Sequence, residues 1–158
     1  MDLNELNNRR MDRQTYYLRI AEVVAERGTC PKAKVGAMLV DPDSNRIISM
    51  GYNGSAKGAP HCNELGCLEI DLGTGHGKSC IRTIHAELNA LLHLDKRYGQ
   101  MDLYSTHQPC FQCFKALVAA GVVNMFYLNP YQDRARDLLH GELPWITMHQ
   151  VSLQEYTP

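Results

Sequence analysis

The chain is 158 residues long, the size of one domain, and 44% of it is apolar, enough for a packed core. No run approaches the ~18 apolar residues of a membrane span, and a net charge of −1 argues against the broad basic surface that a polynucleotide partner requires. The opening residues are polar and lack a secretory pattern, so a cytoplasmic protein is expected, whose six cysteines suit metal ligation or core packing better than disulfides.

Tyr16, Ile20, Val23 and Val24 recur at helical spacing and predict a helix over about 12–27, with Gly28 as its stop. Two strands, Val35–Asp41 and Arg46–Tyr52, follow, joined by the turn Pro42-Asp43-Ser44-Asn45. A glycine-rich loop runs from Gly51 to Gly58. Residues 59–83 then form a cysteine-rich insert with no predicted regular structure, and so long a loop needs a staple. Ile84, Leu88, Leu91 and Leu92 mark a helix whose first turn carries His85 and Glu87. A strand over Met101–Thr106 leads to a helix from Pro109 to Gly121. Strands at Asn124–Asn129 and Ile146–Val151, with a short helix near 132–140 between them, complete one domain over 1–158. Strands separated by helices imply a layered α/β sheet with some parallel pairs.

His85-Ala86-Glu87 and Pro109-Cys110-Phe111-Gln112-Cys113 carry the chemistry. Together they give the H-x-E…P-C-x-x-C spacing of zinc-dependent deaminases. One nitrogen and two thiolates suit zinc with a water as fourth ligand, and zinc lowers that water's pKa to about 7. Helix N-termini favour the thiolates. Glu87, two residues from His85, is the proton carrier rather than a ligand. A structural zinc would call for a fourth protein ligand, and a bare redox C-x-x-C would leave His85 and Glu87 without a purpose.

With these motifs the chain resembles the cytidine-deaminase superfamily, and within it the deoxycytidylate (dCMP) deaminases. The resemblance spans about Thr29 to Tyr131. It rests on Val35-Gly36-Ala37, Gly51-Tyr52-Asn53-Gly54, the run Arg82 to Ala90 around His85, and Pro109 to Cys113. It implies an α/β fold of three layers, α/β/α, with a central mixed five-stranded sheet. It also implies conversion of dCMP to dUMP and ammonia, feeding dTMP synthesis. A homohexamer is implied, activated by dCTP and inhibited by dTTP, with Mg²⁺ accompanying the triphosphate. By position, Asn53 would bind the deoxyribose 3′-hydroxyl and Ala86 would offer backbone contact to the base. Tyr131, or alternatively Lys34, would meet the phosphate. The loop Asn53-Gly54-Ser55-Ala56-Lys57-Gly58 would hold the regulatory triphosphate, although many relatives have proline where this chain has Ala56. Read without the resemblance, Asn53 caps a loop, Tyr131 packs half-buried and Lys57 is a solvated surface residue.

Cys30, Cys62, Cys67 and Cys80 are left over. A second, closed zinc on these four thiols would order the insert, and some deoxycytidylate deaminases carry such a metal. His61 and His76 are rival ligands, and four free buried thiols are the alternative. Other functions compatible with the first zinc are deamination of free cytidine or deoxycytidine, of dCTP, or of tRNA adenosine. A non-catalytic zinc-containing nucleotide sensor is the reading from a different class, and Glu87 argues against it.

Overall fold

The computed structural model describes residues 10–155. The first helix, α1 (Arg13–Ala25), is shorter at both ends than the apolar spacing predicts. Asp12 stands outside it as the N-cap, accepting the Thr15 N–H (2.9 Å) and the Thr15 hydroxyl (2.8 Å). Gly28 is not a left-handed stop. It lies where the chain passes Asn53, and a Cβ there would sit 2.5 Å from Asn53 Oδ1.

Strands β1 (Gly36–Asp41) and β2 (Arg46–Tyr52) form the expected hairpin, and Asn45 takes its left-handed turn position with φ 56°. Asp41 accepts the Ser44 hydroxyl (2.7 Å) and the Asp43 N–H (3.1 Å), which fixes the turn. Further on lie α2 (Cys62–Leu65), α3 (Ala86–Leu92), β7 (Met101–His107), α4 (Phe111–Ala120), β8 (Val122–Asn129), α5 (Arg134–Gly141) and β9 (Thr147–Gln150). Between α2 and α3 run the short strands β4 (Glu69–Asp71), β5 (Lys78–Cys80) and β6 (Thr83–Ile84), and β3 (Gly54–Ser55) follows β2.

The central sheet has five strands in the order β2-β1-β7-β8-β9. β1 is antiparallel to β2 and β7, whereas β7, β8 and β9 are parallel, so the sheet is mixed as expected. Side-chain alternation along β1 divides the interior. Ala37 and Leu39 face one side, with Leu103, Met125, Ala86, Ala90, Phe114 and Leu117. Met38 and Val40 face the other, with Tyr17, Leu18 and Tyr104. Helices α3 and α4 cover the first face and α1 the second, which gives the three layers. Phe126 belongs to the second face, stacked on Tyr104 with centroids 4.8 Å apart. Trp145 is 61% exposed. Among the described residues, no helix is long and apolar enough to cross a membrane.

The insert corrects the expectation of an irregular segment. Within 59–83 the chain forms α2, a β4–β5 hairpin, and β6 paired with β3. Its glycines concealed this. Gly66 sits at the C-cap of α2 and Gly73, Gly75 and Gly77 in the hairpin tip, all at φ between 70° and 81°. They supply left-handed turn positions between short strands rather than a structureless loop.

Candidate metal centre

Two helix starts meet at the metal-capable group. His85 and Cys110 are the N-caps of α3 and α4 in extended conformation, not first-turn residues as the spacing predicts. Neither side chain caps its own helix, so both are free to turn toward a ligand. Cys113 lies one turn into α4. The Cys110 and Cys113 sulfurs each stand 3.5 Å from His85 Nδ1. A tetrahedral zinc with bonds of about 2.3 Å to sulfur and about 2.0–2.1 Å to nitrogen requires nitrogen–sulfur separations of about 3.5 Å. The three residues therefore fit zinc through Nδ1. Cys113 is buried, Cys110 half-buried and His85 exposed, so the group opens on its histidine side.

The electrostatics agree. A hydrogen bond with Cys113, then one with His85, holds the Cys110 thiol down to about 4 against its burial. The bond with Cys110 pushes His85 up to about 8, although partial desolvation of its ring opposes this. Cys113 is raised by its bond with Cys110 and by burial. A lowered Cys110 thiol beside a more basic imidazole suits a group whose protons a cation would displace. Glu87, 3% exposed, lies against Cys113, and burial raises its carboxyl above the usual range.

The zinc helix α3 is fastened to β2. Gly51 lets the α3 backbone approach so closely that a Cβ would lie 2.4 Å from both Ala86 O and Ala90 N. Ser49 Oγ donates to Ala90 O (2.5 Å), and Asn89 Nδ2 donates to Tyr52 O (2.8 Å). Helix α4 is fastened from α5. The Phe111 N–H donates to Asp133 Oδ2 (2.7 Å), and Arg136 Nη1 donates to Pro109 O (2.9 Å). Sequence reasoning missed Asp133 and Arg136. Aspartate at a helix N-cap was a readable signal for the first, but nothing in the pattern says where its carboxylate reaches.

The other expected residues divide. Asn53 is 5% exposed, and its amide is spent on the backbone: Val35 N–H donates to Oδ1 (2.8 Å) and Nδ2 donates to Ala33 O (2.7 Å). One Nδ2 hydrogen remains. Ala86 is fully buried beside Glu87. The Tyr131 N–H donates to Gln108 Oε1 (3.1 Å), which holds Tyr131 beside the segment that carries Cys110. Its ring stacks on His76 from the hairpin tip, centroids 5.2 Å apart. Lys34 donates to Glu26 O (3.3 Å) and lines a cavity of about 370 Å³ with Arg27, Thr29 and Glu64, whose walls include none of the metal ligands. Gly54, Ser55, Ala56 and Lys57 line a second cavity of about 620 Å³, with Tyr52, His61 and His93. Gly58 lies outside its walls, in a left-handed conformation with φ 84°.

Cys62, Cys67 and Cys80 form a second group whose sulfurs lie within 4.8 Å of one another, with Cys62 and Cys80 3.5 Å apart. Burial raises the Cys80 thiol, but bonds from Thr83 and the Arg82 backbone outweigh it and take Cys80 to about 6. Cys30 stands outside this group. Its segment is held beside the insert by a Thr29–His61 hydrogen bond (3.0 Å) and a Lys32–Glu69 ion pair. Neither His61, bound to Thr29, nor His76, stacked on Tyr131, joins the three thiols.

The profile of the cytidine and deoxycytidylate deaminase zinc-binding region matches residues 11–129. ComE operon protein 2 of Bacillus subtilis is 39% identical over 89% of this chain and 71% of its own length. The deoxycytidylate deaminase of Mycobacterium phage D29 is 33% identical over 75% of this chain and 95% of its own. That of Schizosaccharomyces pombe is 36% identical, but the match covers only 41% of its length. Among solved structures, the apo dCMP deaminase of cyanophage S-TIM5 superposes with a TM-score of 0.65 at 25% identity, over 87% of this chain and 96% of the other. Fold, zinc ligands and sequence agree: the chain belongs to the cytidine and deoxycytidylate deaminase family, among its deoxycytidylate deaminases.

Proposed function

We propose that the protein hydrolyses the 4-amino group of dCMP to give dUMP and ammonia. The observation that carries this reading is the open His85–Cys110–Cys113 group with buried Glu87 beside it. A zinc ion held by those three residues would supply a water activated near neutral pH. The raised pKa of Glu87 suits a carboxyl that takes a proton from that water and gives it to the ring nitrogen N3. The water oxygen would bond to C4, and its remaining proton would pass by the same carboxyl to the amino nitrogen, so that the C4–N bond breaks, ammonia leaves and the oxygen becomes the carbonyl of dUMP. We assign the remaining Asn53 Nδ2–H to the 3′-hydroxyl, the Ala86 backbone to the base, and Tyr131 or Lys34 to the phosphate.

The larger cavity supports a regulatory triphosphate, dCTP as activator and dTTP as inhibitor, with Mg²⁺. Lys57 and two histidines line it, and the buried Ser55 hydroxyl has no partner. At its rim Leu92 is 70% exposed and Met50 49%, which suits contact with further copies in a homohexamer. Cys62, Cys67 and Cys80 support a second, structural zinc, with Cys30 drawn in as fourth ligand. Six free thiols suit the reducing cytoplasm, where dUMP would feed dTMP synthesis.

The test is ammonia release from cytidine, deoxycytidine, dCMP and dCTP, each with and without dCTP or dTTP and Mg²⁺. Turnover of dCMP well above the others is expected. Preference for the free nucleoside would overturn the substrate assignment, and no turnover of any would favour a nucleotide sensor.

A further inference from the structure

We infer that Asp133 and Arg136, the cap and first turn of α5, position Cys110 as a metal ligand by clamping the peptide groups on either side of it. The inference rests on the zinc reading of His85, Cys110 and Cys113. An N-cap side chain ordinarily binds the free N–H groups of its own helix and so fixes its own backbone. Cys110 makes no such bond, because its sulfur turns to His85. The cap is supplied from another helix instead. Asp133, 8% exposed, accepts the Phe111 N–H (2.7 Å) with one oxygen and the Arg136 N–H (3.1 Å) with the other.

Arg136 holds the preceding peptide. Its Nη1 donates to Pro109 O (2.9 Å), while Nε and Nη2 both donate to Asp137 Oδ1 (3.0 and 2.8 Å). The guanidinium is 2% exposed, and the carboxylate it pairs with is 62% exposed. A buried charge with so exposed a partner is a costly way to fill space that an apolar side chain would fill without penalty. What it gains is geometry. The carbonyl before Cys110 and the N–H after it are both pinned, so the Cα–Cβ direction of Cys110 is set before any metal arrives. Supporting bonds of this kind typically change metal affinity by about 10–100-fold when removed.

The test compares Asp133→Asn, Arg136→Met and Arg136→Lys with Asp12→Ala, which removes a cap on the opposite face of the sheet. Zinc affinity is measured by chelator competition, and the thiolate-to-metal absorption of the cobalt-substituted protein is recorded. The part of that band lost in Cys110→Ser assigns the Cys110 bond. We expect Asp133→Asn and Arg136→Met to bind zinc about 10–100-fold more weakly with a shifted cobalt band. Arg136→Lys, which keeps a donor for Pro109 O, should recover part of both. Asp12→Ala should lower the melting temperature and move neither. Unchanged affinity and an unchanged band in Asp133→Asn, the near-isosteric variant, would overturn the clamp. Wild-type protein that takes up no cobalt on Cys110 would instead overturn the zinc reading beneath it.

Discussion

Gly51→Ala tests whether the catalytic geometry depends on how closely α3 approaches the sheet. The added methyl would sit 2.4 Å from Ala86 O and Ala90 N, whereas ordinary contact begins at about 3.4 Å. Both obstacles are helix backbone, so no side chain can swing aside and α3 must withdraw by about 1 Å. Overpacking of this kind costs about 1–3 kcal/mol, and a domain of this size loses about 2–4 °C in Tm per kcal/mol. The functional cost is larger. His85 and Glu87 ride on α3 while Cys110 and Cys113 ride on α4, so the shift opens the group across its middle. A misplacement of about 1 Å lowers turnover by about 100-fold. Ammonia release from dCMP, thermal unfolding and zinc content are measured together. Gly36→Ala is the control, since its methyl would meet α1 at Ala21 O (2.1 Å) on the opposite face. It should lose stability with little loss of kcat. If Gly51→Ala melts lower yet turns over like wild type, the positional argument is wrong.

Other expectations are shorter. Glu87→Gln should retain zinc and lose about 10²–10⁴-fold in kcat, and near-normal ammonia release would remove the proton-carrier role. Cys67→Ser should reduce bound zinc from two per chain to one and open the insert to proteolysis between Cys62 and Cys80; unchanged metal content would refute the second zinc. Asp12→Ala should cost about 1 kcal/mol, read from denaturant unfolding. Burial raises the Asp102 carboxyl despite the bond from Asn124 (2.8 Å) and the charge of Arg13. The native state therefore holds that proton more tightly than the unfolded chain. The resulting stability is full below about pH 4 and declines as pH rises through the raised native value. Asp102→Asn should flatten that decline, and an unchanged pH profile would contradict it.

Most strands and helices were legible because their apolar residues recur at period two or near four, and because a stop such as Gly121 marks an end. The catalytic group was legible because its ligands fall in two short motifs. Three things were not. The insert's glycines read as an irregular loop because a positive φ at a turn between short strands leaves no periodic mark in one sequence. The partners of the Asn53 amide, the Val35 N–H and Ala33 O, were not in the pattern, because they lie on a segment well before it in the chain. Asp133 and Arg136 went unnoticed, because the α4–α5 packing that buries them joins residues far apart in sequence.

The placement of β7 between the two ligand helices divides the metal ligands into a local pair and a distant partner. Cys110 and Cys113 lie three residues apart at one helix start. His85 stands at the start of another helix and meets them where α3 and α4 pack on the same face of the sheet. A bond from His85 to the metal would thus close a loop through the sheet, and the ion would clasp tertiary structure rather than one local turn. A chelator should therefore strip zinc more slowly from the wild-type protein than from His85→Ala, which keeps only the pair on α4, and equal rates would contradict this.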